Sequence, residues 1–142
     1  MKSLVVKQPG VLVLQDGIVP DPAPGDVRIR VERAGICGSD VHILHGSNAF
    51  ARYPRVIGHE FYGRVDAPGA GVTLASGARV VVDPVISCGH CYPCRVGRPN
   101  VCAELQVLGV HRDGGFSEFC CVPAANVHLI PDSISDEQAP LV

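Results

Sequence analysis

Asp26-Val27-Arg28-Ile29-Arg30-Val31-Glu32-Arg33-Ala34 alternates polar and apolar side chains from end to end. A period of two puts one set of side chains on one face of an extended chain, so this stretch predicts a half-buried β-strand. Pro20, Pro22, Pro24 and Gly25 supply the turn that precedes it. Outward from it, residues 4–6, 11–14, 61–65, 79–83, 116–122 and 127–130 are short apolar runs bounded by turn residues, and they read as further strands. Helical signals are few. Residues 39–44 and 91–96 have room for one or two turns each. Ser135-Asp136-Glu137-Gln138 has the capping serine and acidic first turn of a helix start. The sum is a mostly β, barrel-like domain with short helices, one unit for 142 residues.

Twelve basic and fourteen acidic residues leave a formal charge of -2, which gives a nucleic-acid partner no electrostatic footing. No apolar run approaches the roughly 20 residues of a membrane span. The apolar part of Met1-Lys2-Ser3-Leu4-Val5-Val6-Lys7 is too short for a signal peptide. The expectation is therefore a cytoplasmic chain with neither a membrane nor a nucleic acid as partner. Seven cysteines in a reducing compartment read first as metal ligands, because disulfides are disfavoured there.

Four of them form a pattern. Cys88-x-x-Cys91-x-x-Cys94 is followed by seven residues and then Cys102. Thiolates at these steps can close a tetrahedron around one zinc ion, with Gly89, Pro93, Gly97 and Pro99 making the turns between them. An iron–sulfur cluster is the chemical competitor. Four protein ligands leave no open position, so zinc here is structural rather than catalytic.

Two earlier segments carry a different chemistry: Gly35-Ile36-Cys37-Gly38-Ser39-Asp40-Val41-His42 and Gly58-His59-Glu60-Phe61-Tyr62-Gly63. Spacing alone does not say that they meet. The run Gly58-His59-Glu60-x-x-Gly63, then Gly69 after five residues and Gly71-Val72 beyond, resembles the signature of zinc-containing alcohol dehydrogenases of the medium-chain dehydrogenase/reductase family. The Cys37-Gly38-Ser39-Asp40 and four-cysteine motifs match the same family in order and spacing. Three further stretches look like the branch of polyol and sugar-acid dehydrogenases that holds the starvation-sensing RspB-type proteins and the L-galactonate or L-gulonate 5-dehydrogenases. They are residues 53–60, 83–85 and 108–118.

The resemblance implies a GroES-like catalytic domain over residues 1–142, with the structural zinc lobe at 88–102 inside it. It implies that Cys37 and His59 ligate a catalytic zinc, with Glu60 as a further ligand or just behind the metal. Asp40 would accept a hydrogen bond from the other ring nitrogen of His59 and fix its tautomer. Ser39 would touch the substrate hydroxyl and pass its proton on. His42 would receive that proton through the ribose of the cofactor, NAD or NADP, and release it to solvent. The substrate implied is a small polyol or sugar acid, and the full-length enzyme would be a homo-oligomer.

Family members continue into a dinucleotide-binding Rossmann domain, and no Gly-x-Gly-x-x-Gly between a strand and a helix stands within 1–142. The expectation is an N-terminal piece of a longer dehydrogenase, inactive by itself. The competing reading is a stand-alone structural or interaction module that keeps only the cysteine-lobe zinc. A zinc-ribbon nucleic-acid binder comes third. Adjacent Cys120 and Cys121 point to opposite faces of a strand, with core packing expected for at least one. His45, His90 and His128 have no partner motif, and His111 reads equally as structural or as near the substrate.

Overall fold

The structure, a computed structural model, describes residues 1–141. Its first sheet is built on the hairpin of Lys2–Gln8 (β1) and Val11–Asp16 (β2), paired antiparallel with Leu4 opposite Leu14. Arg55–Val56 (β4) adds to the other edge of β1. The second sheet is centred on Asp26–Gly35 (β3) and Glu60–Pro68 (β5), with Arg79–Val82 (β6), Phe119–Pro123 (β9) and Val127–Leu129 (β10) in the order β10-β6-β5-β3-β9. Val85–Ile86 (β7) and Gln106–Val107 (β8) form a small third sheet. The helices are Gly38–His45 (α1) and Tyr92–Arg95 (α2). No helix among the described residues is long and apolar enough to cross a membrane.

The alternating stretch that predicts β3 behaves as its period requires. Val27 and Ile29 are fully buried, while Arg28 and Arg30 face outward. They join Phe61, Val65, Val80, Val82, Leu108, Cys120 and Val122 in the larger core cluster. Burying each valine or isoleucine of this set stabilises the fold by about 2 kcal/mol. A smaller cluster of Val6, Ile43, Ile57 and Val110 joins β1 to α1 and to the loop before β5. Ile43 and Asp40 are the only fully buried side chains of α1, so the helix is held at two points rather than along a broad apolar face.

The structure departs from the expected elements where a short pattern carries too little information. Residues 116–122 do not form one strand. Phe116 and Glu118 bond the first sheet, through Leu4 N–H to the Phe116 carbonyl at 2.8 Å and Glu118 N–H to the Lys2 carbonyl at 3.1 Å. The chain then crosses to the second sheet, where β9 begins at Phe119. The helix start at Ser135 is capped as expected: the Ser135 hydroxyl accepts from Gln138 N–H at 3.4 Å and the Gln138 side chain accepts from Ser135 N–H at 3.3 Å. It leads only to a 3-10 turn at Ala139–Leu141.

That final segment is fastened by a buried phenol. Tyr62 on β5 is fully buried; its hydroxyl donates to Asp136 Oδ1 at 2.8 Å and accepts from Arg79 Nε–H at 3.1 Å. Arg79 also donates to the Ile134 carbonyl at 2.6 Å and to Asp136 at 2.8 Å. Tyr62→Phe removes the hydroxyl and leaves the ring. It is expected to lower the unfolding free energy in urea by about 1–2 kcal/mol and to make residues 131–141 the first site of limited proteolysis. An unchanged urea midpoint together with an unchanged cleavage pattern would contradict this role.

Candidate metal centres

In the cysteine lobe, the turns bring the four sulfurs to tetrahedral spacing. Cys91 Sγ lies 3.4 Å from Cys94 Sγ and 3.8 Å from Cys102 Sγ, and Cys88 Sγ lies 4.0 Å from Cys94 Sγ. A zinc–sulfur bond of about 2.3 Å makes each edge of the tetrahedron about 3.8 Å, so the cage fits zinc. Backbone N–H groups point at the sulfurs: Cys88 and Glu104 donate to Cys102 at 3.2 and 3.3 Å, and Cys91 donates to Cys88 at 3.4 Å. N–H donation from Ala103 and then Cys94 pulls the Cys91 thiol down to about 6, whereas burial pushes Cys94 up to about 12. A cation taking all four sulfurs as thiolates would displace the protons that remain on them.

The second centre is assembled from two distant segments. α1 begins immediately after Cys37, and β5 begins at Glu60 immediately after His59. Cys37 Sγ, a His59 ring nitrogen and a Glu60 carboxylate oxygen all lie within 4.8 Å of one another. Asp40 holds the two segments together. Its carboxylate, 2% exposed, accepts from Cys37 N–H at 2.9 Å and from Gly58 N–H at 3.1 Å. Its Oδ1 also stands 3.5 Å from His59 Nδ1, which has no closer partner. The other ring nitrogen, Nε2, lies 3.4 Å from the Ser39 hydroxyl.

Glycines make the approach possible. A Cβ on Gly35, opposite Glu60 in the β3–β5 ladder, would fall 2.9 Å from Glu60 Oε2. Gly58 has φ of +89°, and a Cβ there would fall 2.3 Å from the Phe116 ring. A thiol, an imidazole and a carboxylate, with the second imidazole nitrogen backed by a buried carboxylate, suit a divalent cation with one position left for a small molecule.

The electrostatics favour charge at this centre. The Asp40 carboxylate, opposed by burial and helped by Cys37, raises the metal-free His59 from 6.5 to about 9. Burial pushes Asp40 up, but His59 and the two N–H donors outweigh it, so Asp40 is held below the usual aspartate range. The Ser39 hydroxyl, then its backbone N–H, then His59 lower the Cys37 thiol.

His42 lies on the exposed side of α1, with Nδ1 3.0 Å from Ser47 Oγ. The one hydroxyl proton of Ser47 faces both Nδ1 and the His42 carbonyl, the latter at 3.2 Å. With that proton on the carbonyl, Nδ1 donates and Nε2 is left as an acceptor. Ser47, Gly35 and Tyr62 escape the sequence reading, as does the grip of Asp40 on Gly58. An acid at the third position of α1 was the only available signal for that grip. Cys120 packs in the core and Cys121 is half-buried, while His45 and His128 are exposed. His111 accepts from Val107 N–H at 3.0 Å, a structural bond, and also walls a cavity with Phe50 and Gln106.

Comparison with known proteins places these motifs. The alcohol dehydrogenase GroES-like domain family matches residues 23–132. The starvation-sensing protein RspB of Escherichia coli K12 is 56% identical over the whole chain, and the chain spans 42% of that protein. L-galactonate-5-dehydrogenase of the same strain is 40% identical, again over the whole chain and 42% of the relative. Among solved structures, RspB of E. coli CFT073, an alcohol dehydrogenase complexed with the cofactor NADH, superimposes with a TM-score of 0.95 at 55% identity. That match covers 99% of this chain and 41% of that one.

Asp40→Asn keeps the shape but turns an acceptor into a donor facing an N–H. Affinity for zinc at the Cys37–His59–Glu60 set is expected to fall about 10–100-fold, with the four-cysteine site still filled, as read by chelator competition. Acidity gives a second check. The raised pKa of metal-free His59 stabilises the metal-free fold fully below about pH 6.5, and the contribution is lost as pH rises through about 9. A cation must displace that proton, so affinity at this set should climb between pH 6.5 and 9 and then level off. A flat profile across that window would rule out His59 as the ligand.

Proposed function

The chain belongs to the alcohol dehydrogenase GroES-like domain family, and from that premise we propose that it is the catalytic domain of a zinc- and NAD(P)-dependent dehydrogenase acting on a secondary hydroxyl of a polyol or sugar acid. The observation that carries this reading is the convergence of Cys37, His59 and Glu60 donor atoms within 4.8 Å, with the Ser39 hydroxyl beside them. The chain spans about two fifths of the length of its curated relatives. On this reading residues 1–142 are the N-terminal part of the enzyme, 88–102 form its structural zinc lobe, and the dinucleotide site and the homo-oligomer belong to the longer protein.

Bound at Cys37, His59 and Glu60, zinc would supply Lewis acidity to a hydroxyl oxygen, and the nicotinamide would take the hydride. The chain's own residues do the rest. Asp40 fixes His59 by facing Nδ1, so that Nε2 is the ligating nitrogen. The Ser39 hydroxyl lies against the same centre and receives the proton of the substrate hydroxyl. Three positions further along α1, His42 shares its face of the helix. Ser47 orients the ring so that Nε2 is the base that collects the proton and returns it to solvent. In the complete enzyme His42 would also face the ribose of a bound NAD or NADP.

Variants of the full-length enzyme separate these jobs. Ser39→Ala should cut turnover by about 10²–10⁴-fold with zinc content intact. His42→Gln should cost less and recover in imidazole buffer. Cys37→Ala should lose one zinc and the activity together. The substrate class is read by a panel of sugar acids, polyols and hydroxy amino acids, and equal turnover of all three would reject the assignment. The 142-residue chain alone should bind neither NAD nor NADP at micromolar concentration in a calorimeter. A Ser39→Ala enzyme with full turnover would place the relay elsewhere.

A further inference from the structure

The cysteine lobe has a second set of donors on its outer wall. Sequence alone leaves His90 without a partner, but the structure gives it two. Cys88 Sγ, a His90 ring nitrogen and a Glu104 carboxylate oxygen lie within 4.8 Å of one another. Cys88 is shared with the four-sulfur cage, whereas His90 and Glu104 are both exposed. Neither side chain hangs from a loose loop. The Glu104 N–H donates to Cys102 Sγ at 3.3 Å, and His90 is flanked by Gly89, with φ of +76°, and by Cys91, whose N–H donates to Cys88 Sγ at 3.4 Å. The backbones that carry the outer donors are thus pinned to cage sulfurs while their tips reach into water.

The cage itself is a poor first contact for a hydrated cation. Cys102 is 8% exposed and the other three cysteines are half-buried, so an ion entering the cage directly must shed its whole shell of water before the sulfurs replace it. The outer set offers a thiol that gives its proton to solvent as the ion binds, an imidazole and a carboxylate, each an ordinary zinc ligand, the last two freely accessible. We propose that Cys88, His90 and Glu104 form a transit site for zinc. The outer donors take the ion from solution with waters completing its shell. The ion then pivots about Cys88, exchanging His90 and Glu104 for Cys91, Cys94 and Cys102. Each cysteine that joins loses its thiol proton to solvent, so no other reactant is needed. Release follows the same path backwards. The outer set binds no zinc at equilibrium, because four thiolates hold it better than one thiolate with two exposed ligands.

This differs from a stabilising role for the same side chains in what it does to rates. A transit site speeds capture and release by one factor and leaves the dissociation constant alone; a supporting contact slows only release. The experiment uses the purified zinc-loaded chain in a Cys37→Ser background, which empties the other centre, with and without His90→Ala and Glu104→Gln together. Release is followed by transfer to a chromophoric chelator. Capture is followed with cobalt(II), whose sulfur-to-cobalt absorption reports the four-sulfur cage. The double variant is expected to slow both capture and release about tenfold, with the zinc affinity and the final cobalt spectrum unchanged. Unchanged rates would overturn the proposal. A weaker affinity with faster release, or a final cobalt spectrum that changes when His90 is removed, would overturn it too, by making His90 and Glu104 supports or resident ligands.

Discussion

The open centre of this domain depends on one buried carboxylate. Asp40 is closed off from water, and a lone carboxylate there would be costly. Its cost is offset by two backbone N–H donors and an imidazole, and these belong to different parts of the chain. Cys37 N–H is the first free donor of α1, and Gly58 N–H lies in the approach to β5. One side chain therefore caps a helix, ties it to a strand and faces the ring of His59. Bonds to a charged acceptor are the stronger kind, and losing the carboxylate would strand two buried donors at once. The donor atoms contributed by Cys37, His59 and Glu60 meet because Asp40 makes their backbones neighbours.

The two candidate metal centres represent opposite solutions. The sulfurs of the four-cysteine cage all lie within residues 88–102, and its N–H donors come from residues 88–104. It needs little from the rest of the fold and offers nothing to a substrate. The other centre needs α1, β3, β5 and the Phe116 loop to be in place before its donors converge. It offers only three protein donors, which leaves room for chemistry. Folding is what gathers the second set of donors, whereas the first set is contiguous enough for a cation to gather it.

The sequence carried these features unequally. The alternation at residues 26–34 and the cysteine steps at 88–102 are local patterns, each contained in one short stretch, so both were legible as a strand and as a metal-ligand set. The two-residue strands β4, β7 and β8 were not, since two residues have no period. The run at 116–122 looked continuous because its side chains suit an extended backbone throughout; only the competing hydrogen bonds of two sheets divide it at Phe119. Cys37, Ser39, Asp40, His42, His59 and Glu60 were nameable only through family likeness, because their meeting is a long-range event. Tyr62 and Ser47 left no trace at all. A lone tyrosine and a lone serine look the same in sequence whether they are idle or hold a segment and a ring in place.

Tyr62, Arg79 and Asp136 also set a rule for how this domain can drift. Each satisfies the other two, and Tyr62 sits two residues from Glu60 on the same strand. Losing Asp136 leaves the buried Tyr62 hydroxyl without its acceptor, while Arg79 keeps the Ile134 carbonyl and the Asp132 carboxylate 3.6 Å away. A single step at any one of the three is therefore costly rather than forbidden, which favours changing them together. A lineage that abandons the trio needs another fastening for residues 131–141, so the three positions are expected to vary together although Tyr62 and Asp136 lie 74 residues apart.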